Sequence, residues 1–300
     1  MDNESLWNLT KEALRLIRSR YEPAIQPIIS SSGLDGRIWG ILLAAETFEP
    51  EFTSPAYLMV RGPYTSAEQY LNRLNAAAMK GYLEEVSSGE FCLTEKGKKG
   101  VNQFIWEARS AMEKADPLNQ DASKELAILF ERLVKGCLAF PPPPNTWSIQ
   151  LSYRMMPALE PSLPFTEQAI SCLFAYRDDA HLAAWRNSNL SATALEVLTY
   201  LWREEANSWE DLIDLLSHRG HSEEVYLDAL AELRARKFIA GGRSKLRLTP
   251  EGRGFRDQVE MGTDMYFFAP WSCLNSKEKD RMEGLLVRLW DGLKEGVVAS

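Results

Sequence analysis

Residues 66–83 read SAEQYLNRLNAAAMKGYL, and residues 222–239 read SEEVYLDALAELRARKFI. At a constant offset of 156 positions the two stretches share a serine, a Tyr-Leu pair and a later leucine. The longer segments 34–83 and 190–239 keep the same spacing of apolar positions. Two unrelated amphipathic helices would share the apolar period, but they would not also share Ser-x-x-x-Tyr-Leu at a fixed distance. The sequence therefore predicts two copies of one domain.

The chain continues in the same way after each stretch. Two short strands follow, and Leu-Thr-x-x-Gly, at 93–97 and again at 248–252, opens a long helix. Upstream of the first stretch, Ser54 and Pro55 mark the start of a short helix that follows a longer one. The predicted order is helix, helix, short helix, helix, hairpin, long helix, helix. This order is that of a winged helix-turn-helix domain with flanking helices, so we expect a mainly α fold with small β-wings.

The length and composition suit two globular domains. The chain has 300 residues, of which 45% are hydrophobic and 25% are charged. We expect a first winged-helix domain at 1–138 and a second at 165–300. Between them, residues 139–164 contain four consecutive prolines, Pro141 to Pro144, and we expect a stiff, extended linker there.

The sequence gives no sign of a membrane or secretory protein. No apolar run approaches the ~20 residues that a membrane helix needs. The acidic N-terminus lacks the basic and apolar regions of a signal peptide. The four cysteines are scattered and form no disulfide framework. We therefore expect a cytoplasmic protein with no membrane partner.

Both halves resemble the MarR-type winged-helix proteins. The resemblance rests on the helix-turn-helix stretches Ser66 to Lys80 and Ser222 to Arg236, each followed by a wing and a long helix. The C-terminal half, through segments 177–182 and 249–253, is also similar to the SalK-type group of MarR-like proteins, which implies a fold more strongly than a function.

MarR-type proteins are homodimers in which the terminal helices of two subunits intertwine. The resemblance implies that this tandem chain forms a pseudo-twofold single-chain dimer, with recognition helices facing adjacent major grooves. It also implies a small-molecule effector at the seam between the terminal helices and the winged helices. The helices expected to form the shared interface are 4–30, 120–138, 166–187 and 275–294.

The residue types of the two copies favour contacts with duplex DNA. Amides, hydroxyls and arginine suit base edges, and cations in a wing suit phosphates. Between Arg234 and Arg256 there are eight basic residues and one acid. We expect the phosphate contacts at Arg243, Lys245 and Arg247, and the base-reading face of the first copy at Ser66, Gln69, Asn72 and Arg73.

Other charges oppose this interpretation. The chain has a net charge of −8, which argues against indiscriminate coating of nucleic acid. The first wing carries Glu84, Glu85 and Glu90, and the helix 223–235 begins with two glutamates. The alternative is therefore a winged-helix protein that has lost DNA binding and acts as a ligand-binding or protein-interaction module.

Four polar and aromatic residues occur on one predicted helix of the second half alone. Arg177 and His181 share a face, because residues four apart lie one helical turn away from each other. Such a group could line a pocket for an acidic or aromatic ligand. It could equally form a structural hydrogen-bond network with Glu260 or Asp264. The four residues are Arg177, Asp179, His181 and Trp185.

The sequence predicts no enzyme, metal site or cofactor. Among the motifs with a known mechanism, neither a nucleophile elbow, a zinc-binding HExxH nor a phosphate-binding glycine loop occurs. His218 and His221 have the spacing of two metal ligands, but no third ligand is evident. An enzyme centred on Arg177, Asp179 and His181 is the least favoured hypothesis.

Overall fold

A computed structural model of the chain describes residues 2–158 and 160–298. The first half begins with a long helix and contains one hairpin. Its elements are α1 (Asn3–Ser32), α2 (Gly36–Phe48), α3 (Pro55–Arg61), α4 (Ala67–Met79), β1 (Leu83–Ser87), β2 (Glu90–Leu93), α5 (Glu95–Ala115) and α6 (Gln120–Leu138).

The second half follows after a short additional helix, α7 (Trp147–Tyr153). Short 3-10 turns at Arg186–Ser188, Ser217–Arg219 and Ala269–Cys273 join some of its helices. Its elements are α8 (Leu163–Trp185), α9 (Ala192–Trp202), α10 (Trp209–Leu216), α11 (Glu223–Ala235), β3 (Ile239–Ala240), β4 (Arg247–Leu248), α12 (Pro250–Phe268) and α13 (Ser276–Val298).

The prediction of a mainly helical fold with small wings is confirmed. The strands within the described ranges form two antiparallel hairpins, β1–β2 and β3–β4. The order helix, short helix, helix, hairpin, long helix, helix is found in both halves, and α4 and α11 have the same length of 13 residues. None of the helices in the described ranges combines the length and the apolar character needed to cross a bilayer.

The Leu-Thr-x-x-Gly motif has the same structural role in both halves. The hydroxyl of Thr94 accepts the N–H of Gly97 at 3.0 Å and so caps α5. A Cβ on Gly97 would lie 2.0 Å from the carbonyl oxygen of Tyr82, at the start of the hairpin. In the second half, Thr249 caps α12 in the same way, and a Cβ on Gly252 would lie 2.1 Å from a carbonyl oxygen. The glycine is therefore needed because the long helix passes very close to the hairpin.

The largest core is built from the terminal helices of both halves. It contains buried residues of α1, α6, α8 and α13, together with the ends of α5 and α12. Trp7 of α1 contacts Phe174 of α8 and Phe267 of α12, with ring centroids 4.7 and 4.8 Å apart respectively. Helix α1 packs on α13, and α6 packs on α8 and α13. These are the helices for which the sequence predicts a shared interface.

Each winged helix has a separate, smaller core. In the first half, Trp39 and Leu42 of α2 pack with Leu74 of α4 and Phe91 of β2. In the second half, the corresponding core is formed by α9, α10 and α11 with residues of the hairpin and of α12. The smaller cores of the two halves therefore lie beside one common core.

The expectation of an extended linker over 139–164 is wrong for its middle part, because α7 lies there. The carboxylate of Asp179 on α8 accepts the N–H groups of Ser148 at 3.0 Å and of Ile149 at 3.1 Å. These are N-terminal N–H groups that have no partner inside a helix. The cap is supplied from about 30 positions away, so the local sequence of the linker does not indicate the helix.

Candidate functional site

The N-terminal end of α4 contacts the turn that precedes α11. The backbone N–H of Ser66 donates to the carbonyl oxygen of Arg219 at 2.9 Å, and its hydroxyl donates to the carbonyl oxygen of Gly220 at 2.9 Å. Two helical turns further on, the Arg73 guanidinium donates to the carbonyl oxygen of His218 at 2.7 Å. The start of α4 in the first half is thus bonded directly to the turn between α10 and α11 in the second half.

These contacts are reciprocal. Nε2 of His221, at the start of α11, donates to the carbonyl oxygen of Tyr64 at 3.0 Å. Tyr64 and Gly220 are corresponding positions of the two halves, because they are 156 positions apart, as Ser66 and Ser222 are. Each half therefore donates a hydrogen bond to the same carbonyl position of the other half, although the donors, the hydroxyl of Ser66 and Nε2 of His221, do not lie at equivalent positions. We call the contacts between residues 64–73 and residues 217–221 the clasp.

An ion pair between the half-buried Arg219 and the buried Glu196 anchors the clasp. The Arg219 guanidinium donates to the carboxylate of Glu196 on α9 at 2.8 and 2.5 Å, and to the hydroxyl of Thr65 at 3.2 Å. Glu196 is buried, and this burial raises the pKa of its carboxyl, whereas the charge of Arg219 acts to lower it. Arg219 also lies over the ring of Tyr64, 5.8 Å from the centroid. A single side chain therefore joins α9 to the first half.

Three of the residues that were predicted to read bases lie at the clasp. Ser66 and Arg73 bond to the opposite turn, and a Cβ on Gly220 would lie 2.5 Å from the Cβ of Gln69. Asn72 is exposed. Recognition helices that enter successive major grooves lie ~34 Å apart. The N-terminal ends of α4 and α11 are in contact here, so this closed form does not have that spacing.

The second wing presents the cations that the sequence predicted for phosphate. Arg243, Lys245 and Arg247 are all exposed. The wing is held against α10, because the N–H of Trp209 donates to the carbonyl oxygen of Arg243 at 2.8 Å. The Arg243 guanidinium lies 5.3 Å from the ring centroid of Trp209. The basic residues at the far end of this stretch differ, since Arg256 is buried and bonded to Glu260.

Acidic side chains lie close to these cations in the sequence and are equally exposed. In α11, Glu223, Glu224 and Asp228 face solvent, and in the first wing Glu84 and Glu85 do so. The exposed cations of the second wing and of the end of α11 therefore lie in the same part of the sequence as exposed acids.

Arg177 lies in a hydrogen-bonded network between α8 and α12. Its guanidinium donates to Glu260 at 2.6 Å and to Asp264 at 2.7 Å. Arg256 donates to the same Glu260 from the other side, at 2.9 Å. The pKa of Glu260 is lowered, because the two guanidinium groups together outweigh its burial. This is the structural network that the sequence left open as an alternative to a ligand pocket.

His181 continues the network to the first half. Its Nδ1 lies 3.2 Å from the hydroxyl of Thr263, and its Nε2 lies 3.0 Å from the hydroxyl of Tyr64. Thr263 donates its own proton to a backbone carbonyl, so Nδ1–H is the donor and Nε2 accepts from Tyr64. Burial is the main reason why the pKa of His181 falls to about 4. The neutral ring therefore links α8, α12 and the clasp, and Trp185 stacks against the same Tyr64.

A cavity lies at the seam between the terminal helices and the helices of the first half. Its volume is about 790 Å³, and α1, α2, α5, α7 and α8 contribute to its walls together with clasp residues. Arg177, His181 and Trp185 do not line it. Asp179 borders a second cavity of about 530 Å³ beside the proline run. Arg37 and Arg109, which line this cavity, could not be selected from the sequence. They lie on different helices, and no spacing or motif in the sequence connects them.

His218 and His221 bind backbone groups of the chain. Nδ1 of His218 donates to the carbonyl oxygen of Leu215 at 2.9 Å, and His221 donates to Tyr64. In the part of the chain that the structure describes, no group of three histidine, cysteine or acidic side chains could hold a metal ion. The two histidines therefore contribute to the turn and to the clasp.

Comparison with known proteins identifies the type of domain in the second half. Residues 154–299 match a family described as a helix-turn-helix family. The match includes α10, the turn and α11, which form the helix-turn-helix itself. No curated protein and no solved structure matches the chain. The second half therefore contains a helix-turn-helix domain, and this class of domain suggests a DNA-binding regulator.

Proposed function

We propose that the protein is a transcriptional regulator of MarR-like type that binds duplex DNA. The observation that carries the proposal is the helix-turn-helix match at 154–299, in a domain whose wing exposes Arg243, Lys245 and Arg247. A wing supplies phosphate contacts, and these contacts provide most of the affinity for DNA. The three cations lie within five positions of one another in the loop and second strand of one hairpin.

We further propose that the chain is a tandem repeat that forms a pseudo-twofold single-chain dimer. Three features support this architecture. The elements recur in the same order, the terminal helices of both halves share one core, and the clasp contacts are reciprocal. One chain then provides both helix-turn-helix units, so DNA binding needs no second copy.

In this proposal the first half reads bases once the clasp has opened. Asn72 is already exposed, and opening would free Ser66, Gln69 and Arg73 at the N-terminal end of α4. Side chains of these types suit the donor and acceptor groups of the major groove. The closed form is then the state with low affinity for DNA.

A small-molecule effector at the seam fits the same scheme. The cavity of about 790 Å³ is lined by clasp residues, among them Tyr64, Arg73 and Arg219. A ligand changes a conformational equilibrium to the extent that it binds one state more tightly than the other. Because the cavity walls include both sides of the clasp, an occupant of the cavity contacts the element that must move.

The second candidate function is a ligand-binding or protein-interaction module without DNA binding. The closed clasp and the exposed acids at the start of α11 favour it, because those acids would repel phosphate. In both candidate functions the chain is a binding protein without catalytic activity. Arg177, Asp179 and His181 then serve packing and capping, which their hydrogen bonds to Asp264, Ser148 and Tyr64 support.

The experiment that separates the two functions is selection of duplex DNA by the purified full-length protein. A fluorescent pool of random and genomic duplexes is bound at low and at moderate salt, and the retained fraction is sequenced. A regulator enriches a discrete site, with an affinity that falls steeply as salt rises. Absence of binding at low salt overturns the DNA-binding proposal and favours the second candidate.

A further inference from the structure

The helices α4 and α11 occupy equivalent places in the two halves. Each has 13 residues and follows a serine, Ser66 or Ser222, and these serines are 156 positions apart. Leu74 and Leu230, which the same offset pairs, are both buried in the core of their own half. The two helices therefore have the same rotational setting, and corresponding positions face the same side of each half.

At four corresponding positions α4 has amides and a guanidinium where α11 has apolar or acidic side chains. Amides and guanidinium groups match the paired donors and acceptors of adenine and guanine. An aspartate accepts from cytosine, and small apolar side chains contact the methyl group of thymine. Corresponding side chains of the two helices therefore favour different bases. The pairs, with the residue of α4 first, are Gln69 and Val225, Asn72 and Asp228, Arg73 and Ala229, and Asn75 and Ala231.

The two hairpins carry opposite charges. They too occupy equivalent places, because each ends at a threonine, Thr94 or Thr249, that caps the following long helix. Residues 84–92 contain three acids and no base, whereas residues 240–247 contain three bases and no acid. The second hairpin therefore attracts phosphate and the first repels it. The acids are Glu84, Glu85 and Glu90, and the bases are Arg243, Lys245 and Arg247.

Groups suited to bases and groups suited to phosphates are thus divided between the halves. The first half has amides on α4 beside an acidic hairpin. The second half has a basic hairpin beside α11, on which Glu223, Glu224 and Asp228 are exposed. A dimer of identical subunits reads a palindrome, because the symmetry of the operator mirrors that of the protein. The two halves of this chain do not meet that condition.

We infer that the DNA target is a directional duplex site without an inverted repeat. In this site α4 contacts the bases of one half-site, and the second hairpin holds phosphates on the opposite flank. Such a site rests on the proposed function, because it involves the same DNA contacts and α4 reaches the bases once the clasp has opened. The protein then binds its site in a single orientation.

The first test is the symmetry of the site that the full-length protein enriches from random duplexes. We expect base preferences that are confined to one half-site, so that the site does not match its own reverse complement. An enriched inverted repeat would overturn the directional site and leave the proposed regulator in place. Enrichment of no duplex at low salt would overturn the regulator and the directional site together, so the two failures are distinguishable.

Neutral methylphosphonates then locate the phosphate contacts. The enriched duplex is made in two forms, with a run of methylphosphonates on the flank beside the preferred bases or on the opposite flank. Affinity for the full-length protein is measured by fluorescence anisotropy. Substitution on the opposite flank should weaken binding about tenfold or more, because contacts to Arg243, Lys245 and Arg247 are lost. Substitution beside the preferred bases should leave the affinity unchanged, and equal losses on the two flanks would overturn the directional site.

Substitutions at corresponding positions assign the preferred bases to α4. Asn72→Ala and its matched control Asp228→Ala each remove an exposed side chain from the same position of the two helices. We expect Asn72→Ala to lose the preference at one base pair and to weaken binding of the enriched duplex about tenfold. Asp228→Ala should keep both the preferred bases and the affinity. Preferences that are unchanged in Asn72→Ala, or that change as much in Asp228→Ala, would overturn the directional site.

Discussion

Ser66 and Arg219 are joined through their backbones, because the N–H of Ser66 donates to the carbonyl oxygen of Arg219 at 2.9 Å. Ser66 caps α4 through its hydroxyl, which accepts the N–H of Gln69 at 3.0 Å. The residue that begins α4 is therefore also a contact to the turn of the other half. Local capping and the association of the two halves are coupled at this position.

The turn at Gly220 should tolerate no side chain while the clasp is closed. Gly220 has φ +70°, and an added Cβ would lie 2.5 Å from the Cβ of Gln69. We expect Gly220→Ala to lower the free energy of unfolding by about 2 kcal/mol or more, part from the left-handed backbone and part from the clash. The measurement is urea unfolding of the full chain.

Gly89→Ala is the matched control for this substitution. Gly89 has φ +74° and no atom within 4 Å of an added Cβ, so it isolates the backbone cost. Gln69→Gly removes the Cβ with which the new side chain would clash. Added to Gln69→Gly, the substitution Gly220→Ala should therefore lower the free energy of unfolding by no more than Gly89→Ala does in wild type. If Gly220→Ala costs no more than Gly89→Ala, the close contact between α4 and the turn is absent in solution.

Loss of Arg219 should leave a buried charge without its partner. Glu196 is buried and its carboxylate receives two bonds from Arg219. We expect Arg219→Met to lower the free energy of unfolding by about 3 kcal/mol, and Glu196→Leu in the same chain to restore most of it. Arg15→Met breaks an exposed pair and should cost less than about 0.5 kcal/mol. Additive costs in the double variant would argue against the ion pair.

Asp179 should make the stability depend on pH between about 4 and 6. Burial raises its pKa from 3.8 to about 6. Between about pH 4 and pH 6 the carboxyl of Asp179 is protonated in the folded protein and ionised in the unfolded chain. The contribution of Asp179 to the free energy of unfolding therefore falls as the pH rises through this range, by about 3 kcal/mol in all. Asp179→Asn keeps an oxygen for the cap of α7 and removes the titration. The free energy of unfolding of Asp179→Asn minus that of wild type should therefore increase from pH 4 to pH 7. A difference that stays constant over this range would contradict the prediction.

His181 should act in the opposite sense. Its pKa falls from 6.5 to about 4, mainly through burial. Between about pH 6.5 and pH 4 the imidazole is protonated in the unfolded chain but stays neutral in the folded protein. The free energy of unfolding therefore decreases as the pH falls towards 4, by about 3 kcal/mol. In His181→Gln this loss should disappear, and the variant should gain on wild type as the pH is lowered. Parallel pH profiles of the two proteins would show that His181 is not buried as described.

Local sequence was sufficient to predict the order of helices and hairpin that recurs in the two halves. Caps and glycines act within a few residues, and for this reason the starts of α3 and α5 at Ser54 and Thr94 could be predicted. The Leu-Thr-x-x-Gly motif was identified as a repeat before its steric reason was known. That reason, the close approach of Gly97 to the carbonyl of Tyr82, is a tertiary contact and could only come from the structure.

The parts that could not be predicted depend on residues far apart in the chain. Helix α7 is capped by Asp179 from another element, so the linker segment alone suggests an extended chain. The cavity collects Arg37, Arg73 and Arg109 from three different helices, and no spacing in the sequence joins them. The clasp was not expected either, because the MarR-type resemblance implies recognition helices that are separated and face adjacent grooves.

The most direct test of DNA binding compares two charge-reversal variants on the duplex enriched by the wild-type protein. Arg243→Glu with Lys245→Glu changes the exposed second wing, and Lys11→Glu with Arg15→Glu makes the same charge change on the exposed face of α1. Affinity is measured by fluorescence anisotropy across a series of salt concentrations. We predict that the wing variant binds at least tenfold more weakly and that its salt slope decreases by about 2, whereas the α1 variant stays close to wild type. Equal affinities and slopes for the wing variant and wild type would contradict the account.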